Sequence, residues 1–386
     1  MQENIIRILK PFQQFLYSKF RQDKQEAIEV LLMLAVGHIF EIFTPNQMAE
    51  ILGIDKSKIY GAIKSWSIYL LRRMFLIAGC QEAVKVIKER LSMSPATLSR
   101  ARITISVDDT VIDRLGRVIR LTYSWFSGKH KKVVRGQNII AMTVKVDDRI
   151  IPLCIRPVGK QGRANTSKPE IFREMLYQVL QFFKQAGIDI TQFPITFDSS
   201  YGSKDLVDML TEAGFSQILV HTKGNYVFNI EGERKKLRLH KKVIQLQDDL
   251  WGCKGTPVAR KAAESPTFGK VILLFFEYCS VIKCVMAFGR KLRACEIISI
   301  WKQHHSIEQF WRRLKNDLQI HRMRLRSRQG VNGTVAIKLL AYLVMEKLSV
   351  LMGLTFHQMV NHAKREIDLC SFFSEHFHLA TVAQRL

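Results

Sequence analysis

The chain reads as an α/β protein built on one mixed sheet, preceded by an all-helical segment and interrupted by a β-rich insertion. Three observations predict this. Residues 1 to about 95 carry apolar side chains at helical spacing, through Ile28, Leu31, Leu32, Ala35 and Ile39. At Ile103 the pattern turns to short alternating runs rich in β-formers. Between 103 and 221 the order is then three strands, a helix, a strand, a helix and a strand, which is the order of an α/β unit.

Within the helical segment, Thr44 is placed to cap a helix with Pro45 at its first position, Ala49 and Leu52 face inward, and Gly53 supplies the backbone freedom of a tight stop. Asp55 or Ser57 then caps a second helix. This pattern resembles a helix-turn-helix, whose second helix enters a major groove and would offer Ser57, Lys58, Tyr60 and Lys64 as contacts. The competing reading is a helical hairpin that only packs.

In the α/β part, 103–107 is a strand ending at Asp108, and 138–146 and 150–158 are two more around the turn Asp147-Asp148. A helix follows Pro169 and runs to Gly187, with Ile171, Met175, Leu176, Val179 and Phe183 as its apolar stripe. A strand at 193–197 ends in Asp198, 203–213 is a helix and 217–221 a fifth strand. Residues 222–290 are turn-rich and β-like, an insertion; 294–319 is one or two helices, 333–352 an apolar core helix, and the remaining residues are helical. The expected divisions are a helical domain at 1–98, the two parts of the core at 99–221 and 291–352, the insertion at 222–290, and a C-terminal segment at 353–386.

Composition narrows the partners. With 47% hydrophobic residues among 386, the chain has enough apolar side chain for a folded globular protein. Its formal charge of +25 points to a polyanion, nucleic acid first and an anionic membrane surface second. The apolar stretches at 30–36 and 339–344 fall far short of the roughly 20 residues of a membrane helix, and the start reads as no secretory signal. Seven cysteines without a Cys-x-x-Cys pair fit reduced thiols in a cytosol rather than a zinc site.

Against that basic background, Asp108, Asp198 and Glu308 stand out. In the helix around Glu308, Ile307, Phe310, Leu314 and Leu318 make a buried stripe, while Glu308, Arg312 and Lys315 share a neighbouring face. A carboxylate with two cations one and two turns on can hold a metal and grip a phosphate chain beside it; the plain alternative is an i,i+4 Glu–Arg pair. Asp108 and Asp198 each close a predicted strand, and strand ends in an α/β sheet converge on one crevice. Strand-end acids also cap turns, which competes at Asp198. Three acids suit a pair of divalent ions set to activate one oxygen and steady another in phosphodiester chemistry.

These stretches, Asp108 to Thr110, Asp198 to Tyr201, and Glu308 with Lys315 after six intervening residues, resemble the DDE transposases of bacterial insertion sequences over about residues 100–345. The resemblance implies an RNase H-like core with a β-strand insertion between the second Asp and the Glu. It implies Asp108, Asp198 and Glu308 as catalytic metal ligands, with Asp108 shared between two Mg2+ ions and Mn2+ able to substitute. The family signature Y-x2-R-x3-E-x6-K is matched at Glu308 and Lys315, whereas Trp301 stands for the Tyr and His304 for the Arg. An Arg fork grips phosphate at any pH and His only when protonated, so either the DNA-end contact is weaker or Arg312, Arg313 and His305 compensate. Of the adjacent acids Asp108 and Asp109, only one can face the site; the family's Asp two residues before a Thr selects Asp108, with Asp113 left as a loop residue.

Two basic stretches are candidates for the DNA surface: a loop at 127–138 with Lys129, Lys131, Lys132 and Arg135, for which a solvated hairpin is the equal alternative, and, as the stronger candidate, the alternating arginines after the catalytic helix, Arg322 and Arg324 among them. Tyr201, Trp301 and His304 are expected at the same surface through the family motifs. The reading is a transposase that binds terminal inverted repeats of double-stranded DNA through its N-terminal helices, acts as a homodimer without any membrane, and works in the bacterial cytoplasm on the nucleoid. The rivals are an RNase H-like nuclease without strand transfer and a transposase-derived DNA-binding regulator.

Overall fold

The computed structural model describes residues 1–19, 25–93, 102–114, 118–128, 130–160, 167–248, 256–289, 292–322 and 325–377. Helices α1 (Gln2–Lys19), α2 (Gln25–Gly37), α3 (Pro45–Leu52), α4 (Lys56–Lys64) and α5 (Ile68–Met93) come first. Thr44 Oγ1 accepts the Gln47 N–H at 3.2 Å at the start of α3. Gly53 ends that helix at φ +63°, a left-handed position glycine takes at little steric cost. Of the two expected caps of α4, Asp55 is the one used, its carboxylate 2.6 Å from the Ser57 N–H.

Strands β1 (Ile103–Asp113), β2 (Tyr123–Ser127), β3 (Lys132–Val146) and β4 (Arg149–Pro157) follow, then α6 (Lys168–Gln185), β5 (Ile195–Phe197), α7 (Lys204–Glu212) and β6 (Gln217–His221). β1 runs on through Asp113 instead of stopping at Asp108, because its antiparallel ladder with β3 continues to Asp113↔Gly136. Asp113 is therefore a strand residue, and its carboxylate meets His130 Nε2 at 2.7 Å. The basic segment at 127–138 forms the tip of the β2–β3 hairpin, the alternative weighed from sequence, with Lys132 onward already paired in β3.

The insertion holds β7 (Val227–Ile230), β8 (Glu233–Lys236), α8 (Leu237–Val243), β9 (Gln247–Asp248), β10 (Pro257–Ser265), β11 (Gly269–Tyr278) and β12 (Val281–Gly289). β12 lies antiparallel on β6, so the insertion extends the core sheet. The full order is β2-β3-β1-β5-β6-β12-β11-β10-β7-β8, with β4 also on β3 and β9 on β10. β1–β5 and β5–β6 are parallel and their neighbours antiparallel, a mixed sheet as expected.

Last come α9 (Ala294–Asn316), α10 (Arg328–Met352), α11 (Phe356–Glu366) and α12 (Leu369–His376). One sheet face packs on α6 and α7, through Ile103, Ile105 and Val107 of β1; the other meets α9 and α10, where Thr104 Oγ1 donates to Gln303 at 2.6 Å. The N-terminal helices share a hydrophobic core with α9 to α12, including Leu31, Ile59, Phe310, Leu340, Met359 and Phe372. The expected boundary near residue 98 is thus not a packing boundary. At the joint, Trp66 Nε1 donates to Ala27 O and its ring lies against Gly333, where an added Cβ would stand 2.2 Å from a ring carbon. No single helix among the described residues is long and apolar enough to cross a membrane.

Candidate active site

Register brings the first two acids together. The parallel pairing of β1 with β5 ends at Val107↔Phe197, so Asp108 and Asp198 are the next residues on adjacent strands. Asp198 leads into a 3-10 turn, Ser199–Tyr201, yet its side chain makes no capping bond there. The turn-cap alternative is not how this carboxylate is used; the Ser199 hydroxyl donates to it at 3.3 Å. The turn is held from outside by Tyr226, whose hydroxyl donates to Ser199 O at 3.0 Å and Gly202 O at 3.3 Å. Tyr226 carries no sequence signal, since it lies in the turn-rich start of the insertion.

Glu308 comes from α9, which lies over the sheet face that bears Asp108. Ile307, Phe310 and Leu314 are fully buried, fixing the helix's rotation, and leave Glu308 and Arg312 exposed with Lys315 half-buried. Glu308 pairs with His305 Nδ1 at 3.3 Å, one turn back. That hydrogen bond, followed by the charges of His305, His221 and Arg312, holds its carboxyl below the usual glutamate value in spite of partial burial.

Burial pushes the Asp108 carboxyl up to about 8, and the charges of Asp109, Asp198 and Glu308 add to that, against a backbone N–H from Asp109 that favours the ionised form. Asp109 points to the opposite sheet face, as alternation requires. There Lys168 Nζ grips its two oxygens at 2.8 and 2.7 Å, and Asn138 Nδ2 donates to it as well. Asp109 is thus spoken for as a structural ion pair, while Asp108 and Asp198 form no salt bridge among the described residues.

No three His, Cys, Asp or Glu side chains among the described residues stand close enough together to ligate one ion as placed. In kind, the donors fit a hard divalent cation: they are carboxylate oxygens, and the burial and repulsion that raise Asp108 are what such a cation would offset.

The remaining expected contacts divide in two. Tyr201, Trp301 and His304 are buried, at 3%, 5% and 3% exposure, so their side chains as placed do not reach a DNA surface. Trp301 packs edge-on to Phe276 and Tyr278 of β11 at 5.0 and 4.9 Å, and His304 lies 4.3 Å from the His221 ring. Trp301 therefore ties α9 to the insertion strand β11, and His304 ties it to the core strand β6. Tyr201 belongs to the core on the α6 side. Arg313 donates to Tyr342 Oη at 3.4 Å and lies over Phe356, a packing role.

Exposed are Ser57, Lys58 and Lys64 on α4, Lys131 and Arg135 on the β2–β3 hairpin, and Arg322, which lies over the Phe43 ring at 5.5 Å. Tyr60 is half-buried and donates to Asn46 at 3.1 Å. Lys129 and Arg324 lie outside the described residues. A cleft of about 790 Å³, whose lining includes none of the three acids, is bordered by Asp109, Thr110 and Asp113 of β1, Phe126 of β2 and Lys315 of α9. Arg114, missed in the sequence, closes it: its guanidinium donates to Gln137 at 3.0 Å, to Ile320 O at 3.2 Å and to His321 O, tying the strand of Asp108 to the chain after α9.

A family model described as a transposase DDE domain matches residues 104–344, from within β1 to within α10, and takes in all three acids. The chain belongs to the DDE transposases. Their work is cleaving and transferring DNA, with divalent metal ions, and the RNase H-like core expected from sequence is the fold found here. The match begins after α3 and α4, and no curated protein matches the chain.

Proposed function

We propose that this transposase binds the terminal inverted repeats of its element through α3 and α4, then cuts and joins DNA at Asp108, Asp198 and Glu308. The observation that carries the reading is the convergence of the acids: two adjacent strand positions one step beyond Val107↔Phe197, with a third carboxylate from the helix above, its charge felt at Asp108. Asp108, Asp198 and Glu308 are the residues that would hold the divalent ions. Bound there, the ions supply the charge that activates an attacking oxygen and steadies a leaving one.

The chain's own residues do the rest. His305 orients the Glu308 carboxylate, and the Asp109–Lys168 pair keeps the second acid of β1 turned away. Arg312 and Lys315, one and two turns beyond Glu308, are placed to hold the phosphates of the strand being cut. Ser57, Lys58 and Lys64 face outward for groove contact, and the surplus of positive charge draws DNA in.

The deciding experiment mixes the full chain with labelled DNA bearing the element's ends, a target plasmid and Mg2+, beside Glu308→Gln. Joined products that vanish in the variant support transposition at this site. Cut ends that are never joined would make the protein a nuclease, and end binding without cutting in either protein would make it a regulator.

A further inference from the structure

Two large apolar side chains stand open to water at the tip of the β2–β3 hairpin, Phe126 at 64% and Val133 at 65% exposure. They are register partners, so both project from one face of the hairpin. Alternation along β3 puts Arg135 on that face too, and carries it through Gln137 and Ile139 to Ala141, the partner of Asp108. The apolar pair and the arginine therefore share the sheet face that bears Asp108. Phe126 also lines the cleft with Thr110 and Lys315, and Lys131 and Lys132 at the turn are exposed.

The other face of the hairpin is already used. Trp125, paired with Val134, is half-buried, with Lys160 Nζ 3.9 Å from its ring centroid. Cations around the exposed pair, on a chain of net charge +25, disfavour a second copy of this chain as the occupant. They match a nucleotide that has left its stack: an aromatic ring for the base, guanidinium and ammonium groups for its phosphates.

We propose that Phe126, Val133 and Arg135 form a contact site for unstacked, single-stranded nucleotides of the DNA strand in the cleft. The proposal rests on the reading of this chain as a DNA-processing transposase and adds to it a preference for unpaired DNA at one named surface.

The test is equilibrium binding by the full chain in EDTA, so that no cutting intervenes. The probes are a short blunt duplex and the same duplex with a thymidine tail on one 3′ end. The wild type is expected to bind the tailed probe about tenfold more tightly, the contribution of roughly one stacked base. The double variant Phe126→Ala Val133→Ala should bring the two affinities together while leaving the blunt duplex bound within about twofold, and Phe126→Trp should retain the preference. Because both side chains are exposed, thermal melts of the variants should match the wild type. An unchanged preference in the double variant overturns the proposal, as does equal binding of both probes by the wild type. So does a dimer of the DNA-free protein that sedimentation shows dissociating in the double variant, which would assign the pair to self-association. A wild type that binds neither probe would defeat the DNA reading itself, and this proposal with it.

Discussion

Arg149→Met should destabilise the protein by about 3 kcal/mol, and the reason lies in a buried charge cluster that no site residue touches. Arg149 donates to Glu346 through Nε at 2.8 Å and Nη2 at 2.7 Å, and to Glu82 at 2.7 Å, while Lys347 meets the other Glu82 oxygen at 2.8 Å. The side chains of Glu346 and Glu82 are only 5% and 8% exposed. Taking away the arginine leaves Glu346 a buried carboxylate without its cation, which costs about 3–5 kcal/mol; partial exposure of Arg149 favours the low end. Against a stability of about 5–15 kcal/mol that is a large loss, and in a chain of this length it lowers Tm by about 6 °C, taking roughly 2 °C per kcal/mol. Denaturant unfolding followed by tryptophan fluorescence reads it. Adding Glu346→Met to Arg149→Met should recover at least half, since the orphaned charge goes with it. The pH dependence has a definite sign. Burial alone would raise the Glu82 carboxyl, but Lys347 and Arg149 more than offset this and its folded value is lowered. Its contribution is present above the ordinary glutamate value of about 4.3 and is lost as pH falls through the lowered one, so the gap between wild type and variant should narrow in acid. A single variant within about 1 kcal/mol of wild type, or a double variant no better than the single, would refute the reasoning.

Asp108→Asn, Asp198→Asn and Glu308→Gln should each slow strand cleavage about 100-fold or more while DNA binding, measured by gel shift, persists. Asp109→Asn should instead lower Tm through loss of the Lys168 pair and leave Mg2+ binding by calorimetry unchanged; lost binding would exchange the roles of the two acids. Lys58→Ala with Lys64→Ala should weaken end binding and reduce its salt slope by about 2, with unchanged circular dichroism; unaltered binding would return α4 to a packing role. Gly333→Ala, whose methyl would meet the Trp66 ring, should cost about 1–3 kcal/mol of stability, read by thermal melting, and a wild-type melt would show that this joint yields.

Local chemistry was legible wherever the backbone itself enforces it. The cap at Thr44, the stop at Gly53 and the buried stripe of α9 stand as their residue types require. The strand-end positions of Asp108 and Asp198 also survive, in altered form: β1 continues, and the parallel ladder is what ends at Val107. What could not be read depends on partners far along the chain. The β2–β3 hairpin needs Tyr123–Ser127 to find β3, and short, polar, aromatic runs carry no decisive period. Trp301 and His304 look like surface residues by analogy with a motif, but His221, Phe276 and Tyr278, from two other strands, enclose them. Composition could not show that α2 and α4 bury their apolar faces against α10 instead of in a core of their own.

That shared core has a mechanical consequence. Helix α4 packs against α10, and α10 covers the sheet on the face of Asp108, so the helix proposed to read the groove and the acids proposed to cut are joined by one packed core. Such a core behaves like a fixed gauge: the number of base pairs between the sequence read and the bond broken is set by the protein's dimensions, not by the reach of a tether. On the proposed function, an element carrying this protein is expected to keep the spacing at its ends, and a duplication of even half a helical turn between the two points should silence an end whose recognition sequence is intact.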